Sequence, residues 1–236
     1  MAMAERARQL AFDLPHRAAT GRDDFLVAPS NAVAVEWIDR WPDWPGKGLV
    51  LHGPPGSGKS HLAAVWRAVS GAVSVEPQDL ASREPPAILA DADTCVFDDA
   101  DRALAESREL EPALFHLYNL IAERRGALLL TAREAPARWP IILPDLRSRL
   151  VTLQAAPLGA PDDTLLRALL VKLFADRQLS IDEPALRFVL PRMERSFDAA
   201  RDLVAAADRA ALAERKDITV PLLRAVLREW GDSAES

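Results

Sequence analysis

The sequence predicts an α/β fold in which helices flank a parallel sheet and a small α-helical domain follows at the C-terminal end. Three observations carry this expectation. A glycine-rich turn at residues 53–58 lies between a short apolar run at 49–52 and a helical-looking segment that begins near Lys59. Up to Pro157, short apolar runs alternate with stretches at helical spacing, the pattern of parallel strands joined by crossover helices. Beyond Pro157 the periodicity is helical throughout. The expected organisation is a tail at 1–20, an α/β base at 21–156 and a helical lid at 157–236.

In the tail, Gln9 is followed by Leu10, Phe12 and Leu14 in alternation and then by Pro15. Such a peptide can lay its alternate side chains into a groove on a partner, or fold back as an arm on its own domain. Ser30 or Asn31 is placed to cap a helix over 32–40, with Val33, Trp37 and Ile38 as an apolar stripe. The run from Trp41 to Gly46, with two prolines, breaks that helix. The strand at 49–52 then opens into Gly53, Pro54, Pro55, Gly56, Ser57, Gly58, Lys59, Ser60 and His61, a complete Walker A sequence. In such a loop the glycines let successive N–H groups turn onto phosphate oxygens. Lys59 reaches the β- and γ-phosphates, Ser60 takes a place on Mg²⁺, and the helix N-terminus adds partial positive charge.

Further along, 71–75 reads as a strand and 81–90 as a loop around Pro85 and Pro86. A buried-type strand at 94–97 ends in Asp98 and Asp99. Carboxylates at the C-terminal end of a parallel strand face the crevice where ligands bind. There Asp98 can hold Mg²⁺ and Asp99 can orient or deprotonate water, unless the acidic run to Asp101 is only solvated. Leu114, Leu117, Tyr118 and Ile121 mark one face of a helix over 111–124. The strand at 127–130 ends at Thr131, a polar group set beside a γ-phosphate. After a proline-punctuated loop, Arg147 and Arg149 precede an expected last strand at 151–153. They are either surface charges or fingers aimed at a neighbour's nucleotide. The lid should hold helices over 165–174, from Pro184, from a Ser196 cap to about 215, and from a Thr219 cap onward.

The composition narrows the classes of function. At 236 residues and 49% hydrophobic there is ample core, and a net charge of −6 removes any global attraction to nucleic acid. The single cysteine, Cys95, excludes an internal disulfide and fits a buried thiol in a reducing compartment. No apolar run approaches the roughly 20 residues that span a bilayer, so a cytoplasmic protein without a membrane partner is expected.

A Walker A loop, a paired-Asp Walker B, a Thr at the third strand end, an Arg before the last strand and a four-helix lid, in that order, resemble the AAA+ P-loop NTPase domain. Phe97-Asp98-Asp99, Leu130-Thr131-Ala132, Leu146-Arg147-Ser148-Arg149 and Ala200-Arg201-Asp202-Leu203 are similar to the bacterial replication initiator DnaA, over about 25–230. The initiator carries a helix-turn-helix DNA-binding domain after its lid, whereas the similarity here ends with the lid. A DnaA-type module with a Gln-Leu peptide at its N-terminus resembles the Hda family, DnaA-related regulators of the initiator.

That resemblance implies ADP or ATP with Mg²⁺ as cofactors. It implies that Gln9, Leu10, Phe12 and Leu14 bind the sliding clamp (the β subunit) of DNA polymerase III. Thr131 falls at sensor 1, Arg201 at the sensor-2 position of the lid, and Arg149 at an arginine finger acting in trans. The partners implied are the clamp and ATP-bound DnaA, with DNA met only indirectly and a homo-oligomer possible. The implied role is negative regulation of replication initiation by stimulated hydrolysis of DnaA-bound ATP. Asp99 is a shorter base than the more usual Glu, so the chain's own ATPase should be weak at most. The alternatives are an AAA+ ATPase acting as a helicase loader or DnaA-like initiation factor, and an adaptor in which nucleotide is structural.

Overall fold

The structure, a computed structural model, describes residues 26–214 and 217–234. In chain order the base holds α1 (Ala32–Asp39), β1 (Gly48–His52), α2 (Lys59–Ser70), β2 (Val73–Val75), α3 (Pro77–Ser82), α4 (Pro85–Leu89), β3 (Thr94–Phe97), α5 (Ala100–Glu106), α6 (Leu110–Glu123), β4 (Ala127–Ala132), α7 (Pro144–Val151) and β5 (Gln154–Pro157). The lid follows as α8 (Asp163–Ala175), α9 (Glu183–Val189), α10 (Phe197–Glu214) and α11 (Val220–Ala234). Among the described residues no helix is long and apolar enough to cross a membrane.

The five strands pair in parallel in the order β2-β3-β4-β1-β5. The chain leaves β1 for the far edge, returns through β3 and β4, and places β5 on the other side of β1. The first strand therefore lies at a switch point, where the loops after neighbouring strands part and leave a crevice at the carboxyl ends. Side chains alternate between two buried faces, as strands covered on both sides require. Val50, Phe97, Leu128 and Leu130 pack under α3 to α7, while Leu49, Leu51, Val96 and Leu129 pack under α1 and α2. On that second face Trp44 stacks on Trp66 with centroids 5.0 Å apart, and Trp41 meets Trp66 edge-on. The lid closes a separate core on Leu166, Leu170, Phe174, Leu186, Leu203, Val204 and Leu223.

Local chemistry explains most of the boundaries. Asp162 and Asp182 accept backbone N–H bonds from Leu165 and Ala185 at 2.8 Å, and Ser196 accepts one from Ala199 at 3.0 Å, so α8, α9 and α10 start on side-chain caps.

Four expectations are corrected. Residues 81–90 are not a loop: prolines begin both α3 and α4, where a missing N–H costs the helix nothing. Residues 151–153 are not the last strand, because Val151 closes α7 and β5 begins at Gln154. Pro144 starts that helix, and Leu146 and Leu150 bury on one side of it. The short strand Gln154–Pro157 carries no β-branched residue and is recruited by pairing with β1. Arg147 and Arg149 accordingly lie on a helix and not on a strand approach. Finally, α1 buries Ala34, Val35 and Ile38 while Val33 is exposed, and Asn31 makes no cap bond to it. Its amide instead accepts from Ala28 N–H and donates to Leu26 O, pinning the chain that enters α1.

Candidate functional site

The glycine loop is built from the end of β1 to the start of α2. Gly53 N–H donates to Ala132 O at 3.1 Å, tying the loop to the end of β4. A Cβ on Gly53 would stand 2.0 Å from Leu158 O, so no larger residue fits there. Gly56 and Gly58 adopt φ of +67° and +93°, in the left-handed region where glycine alone is unstrained. Lys59 is 6% exposed, and its Nζ donates to Gly53 O and Pro54 O at 2.9 Å each. An ammonium has three donors, so one is left over. Burial pulls the Lys59 pKa down, and the carboxylates of Asp99, Asp98 and Asp101 oppose that by favouring the charge. Ser57 Oγ is buried without a hydrogen-bond partner among the described residues, and Ser60 is exposed one residue into α2.

The acidic pair lies near enough to this lysine for its charge to favour the ammonium. Pairing of Phe97 with Leu130 and of Leu51 with Thr131 brings the ends of β1, β3 and β4 together. Thr131 is fully buried; its hydroxyl donates to Asp98 Oδ1 and accepts from Asp99 N–H at 2.9 Å. Asp98 is exposed, and Asp99 sits at the start of α5 with φ of +48°. Asp101 accepts the backbone N–H groups of Arg133 and Glu134 at 2.9 and 3.2 Å, which fixes the loop after β4 against α5. His52, half-buried at the end of β1, has its pKa lowered chiefly by burial.

The lid rests on the loop itself. Phe197 N–H donates to Gly56 O at 2.9 Å, and a Cβ on Gly56 would lie 2.2 Å from Ser196 Cβ. The Phe197 ring is in van der Waals range of Gly58. Arg201, one turn along α10, is exposed and faces Asp198 at 3.6 Å. It lines a cavity of about 170 Å³ with His61, Leu26, Leu169, Leu173 and Phe197. Arg147 and Arg149 are both exposed on α7, away from these groups in sequence and in element. Gln9, Leu10, Phe12 and Leu14 lie outside the described residues.

Periodicity and motif reading missed the roles of four residues. Ser196 was legible as a cap, but its seat on Gly56 depends on how the lid folds over the base. Leu26 and Leu169 read as ordinary apolar positions. Glu111 hides in a helical run, yet its buried carboxylate accepts the N–H groups of Ile142 and Leu143, at 3.1 and 2.7 Å, and so anchors the loop that leads into α7.

Residues 162–227 match the family model described as Hda, lid domain. Among solved structures, the chain is similar to domain III of the Thermotoga maritima replication initiation protein DnaA, with 16% identity and a TM-score of 0.75 over 87% of this chain and 94% of that one. It is also similar to AMPPCP-bound DnaA from Aquifex aeolicus, with 14% identity and a TM-score of 0.64 over 77% of this chain. A Thermotoga maritima RuvB variant follows at 17% identity and 0.59, again over 77% of this chain. The chain spans 62% of the length of each of the last two. The fold is that of the AAA+ domain.

Proposed function

We propose that this chain, a DnaA-related AAA+ protein with an Hda lid domain, binds adenine nucleotide with Mg²⁺ and the sliding clamp, and stimulates hydrolysis of the ATP held by DnaA. Initiation of replication would thereby be restrained. The observation that carries a regulator over the initiator itself is the lid match at 162–227.

Nucleotide binding is supported by the fit of the loop: a lysine with a donor in reserve, the orphaned Ser57 hydroxyl, glycines in left-handed backbone, and two carboxylates nearby. It is further supported by the AMPPCP named for the Aquifex aeolicus DnaA. Bound nucleotide would supply phosphate oxygens, and Mg²⁺ would offset their charge. Ser60 and Asp98 are the residues that would hold the metal. Thr131 holds Asp98 and the N–H of Asp99 in one geometry, leaving the Asp99 carboxylate to orient water. Leu26, Leu169, Leu173 and Phe197 offer apolar walls for the base, with His61, Lys172, Asp176 and Arg201 as the polar ones.

Gln9, Leu10, Phe12 and Leu14 would bind the clamp as an extended peptide. Arg149, exposed near the end of α7, is free to meet the nucleotide of a docked DnaA. Fingers of this kind are worth about 10³ to 10⁵ in rate. The test is ATP hydrolysis by purified DnaA alone, with this protein, and with this protein plus clamp loaded on DNA. Stimulation in the complete mixture is expected. Turnover by this chain with no effect on DnaA would assign it instead to the motors and loaders.

A further inference from the structure

We propose that the lid carries a second phosphate-binding site, formed by Arg192, Arg224 and Arg228 around Phe188 and adjoining, through Arg192 and Leu227, the larger cavity that the lid forms with Pro55 and Gly56. The three arginines, Phe188 and Leu227 line a cavity of about 310 Å³ with no carboxylate among its walls. The inference goes beyond the function proposed above and does not rest on it.

Four features point to an anionic ligand. First, five arginines of the lid, Arg167, Arg177, Arg187, Arg195 and Arg201, each face a carboxylate, whereas Arg209, outside this cluster, pairs with none among the described residues. Among the described residues no carboxylate pairs with Arg192, Arg224 or Arg228, although the whole chain is acidic at −6. Second, Arg224 and Arg228 stand four apart on α11 and are both exposed. Like charges at that spacing destabilise a helix, so their convergence is explained by something that neutralises both.

Third, two of the three guanidiniums are held in place. Arg192 lies 4.4 Å and Arg224 5.4 Å from the Phe188 ring centroid, and Arg192 Nη1 donates to Phe188 O at 2.8 Å. Stacking uses the face of a guanidinium and leaves its N–H edge for a ligand. Fourth, three converging charges suit a group with several charged oxygens. A phosphate offers three acceptor oxygens and up to two charges, whereas a carboxylate is filled by one bidentate arginine. The phosphate can belong to a nucleic-acid strand or to a free polyphosphate.

The test titrates the full chain at low salt with an oligothymidylate, with inorganic tripolyphosphate and with a glutamate peptide. Binding should weaken about tenfold or more in Arg224→Glu/Arg228→Glu, as expected when charge-assisted bonds are lost. A charge-matched control, Arg40→Glu/Arg83→Glu, should change it by less than about twofold. The Walker loop is intact in both variants, so its own affinity for tripolyphosphate cancels. For the strand, the slope of log K against log salt should flatten by about one to one and a half. Should the reversed variant melt early, Arg192→Lys/Arg224→Lys keeps the charge, removes the planar fork and should still weaken binding. Arginine-dependent binding of the strand alone identifies nucleic acid as the source, and of tripolyphosphate alone a free polyphosphate; either supports the site. Equal losses in site and control variants would overturn it. So would saturable binding by none of the probes, or a glutamate peptide that binds as tightly with the same arginine dependence.

Discussion

Thr131 carries two roles with a single hydroxyl. It gives its proton to Asp98 and its lone pair to the Asp99 N–H, with no exposure to water. Thr131→Val preserves shape and removes both bonds; Asp98 is exposed and turns to water, but the half-buried Asp99 N–H is left unpaired at a cost of about 1–3 kcal/mol. The urea midpoint should fall accordingly, and any hydrolysis by this chain should fall further; Thr131→Ser should restore both. His52 gives a pH dependence of known sign. Burial lowers its folded-state pKa below 6.5, so between the two values the unfolded chain binds more protons. Stability therefore rises with pH through that window and is lost on acidification below about 6.5. Urea midpoints at neutral and mildly acidic pH should drop more for the native chain than for His52→Gln, with the other groups cancelling in the difference.

At the scale of elements, α7 turns two nearby arginines in opposite directions. Residues two apart on a helix are about 200° apart around its axis, so Arg149 and Arg147 cannot serve the same partner. Arg149→Ala should abolish stimulated hydrolysis by DnaA while leaving the melting curve and nucleotide content unchanged, since the residue is exposed. Arg147→Ala should leave stimulation intact; the reverse result would move the functional position two residues earlier. Glu111 governs the same helix from below. Glu111→Ala strands the Ile142 and Leu143 N–H groups, and should cost on the order of 3 kcal/mol in chemical unfolding.

Where base and lid meet, a backbone hydrogen bond and a close approach both fall on Gly56. Gly56→Ala forces Ser196 away and strains a left-handed φ, so it should loosen the start of α10, measured as faster amide exchange over residues 196–200. If the loop holds nucleotide, saturating ADP should stabilise the chain by about 2.7 kcal/mol at one hundred times Kd. Lys59→Ala should remove that increment because no backbone amide replaces its charge. A thermal shift assay on both variants separates the two effects. Lys59→Ala loses the ligand response at an unchanged lid, and Gly56→Ala alters the lid first.

Whatever depends on local spacing was legible in the chain alone. Gly53 to Ser60 could be read as a phosphate loop because each position meets its own steric or charge requirement within a few bonds. Asp98 and Asp99 were legible because a short apolar run ends on them. The lid helices announced themselves through period and cap, with Ser196 bonding Ala199 as its position implied. Whatever depends on neighbours remote in the chain emerged with the packed fold. Gln154–Pro157 is a strand through pairing with β1, a stabilisation that its own residues do not encode. Val151 and Thr152 favour a strand locally but lie at the end of a helix that Leu146 and Leu150 hold against the core. The Thr131 bridge, the seat of Ser196 on Gly56 and the gathering of Arg192 with Arg224 and Arg228 each join residues about 30 or more positions apart, except the adjacent pair on α11. Such contacts follow from how packed elements cross, which no local periodicity records.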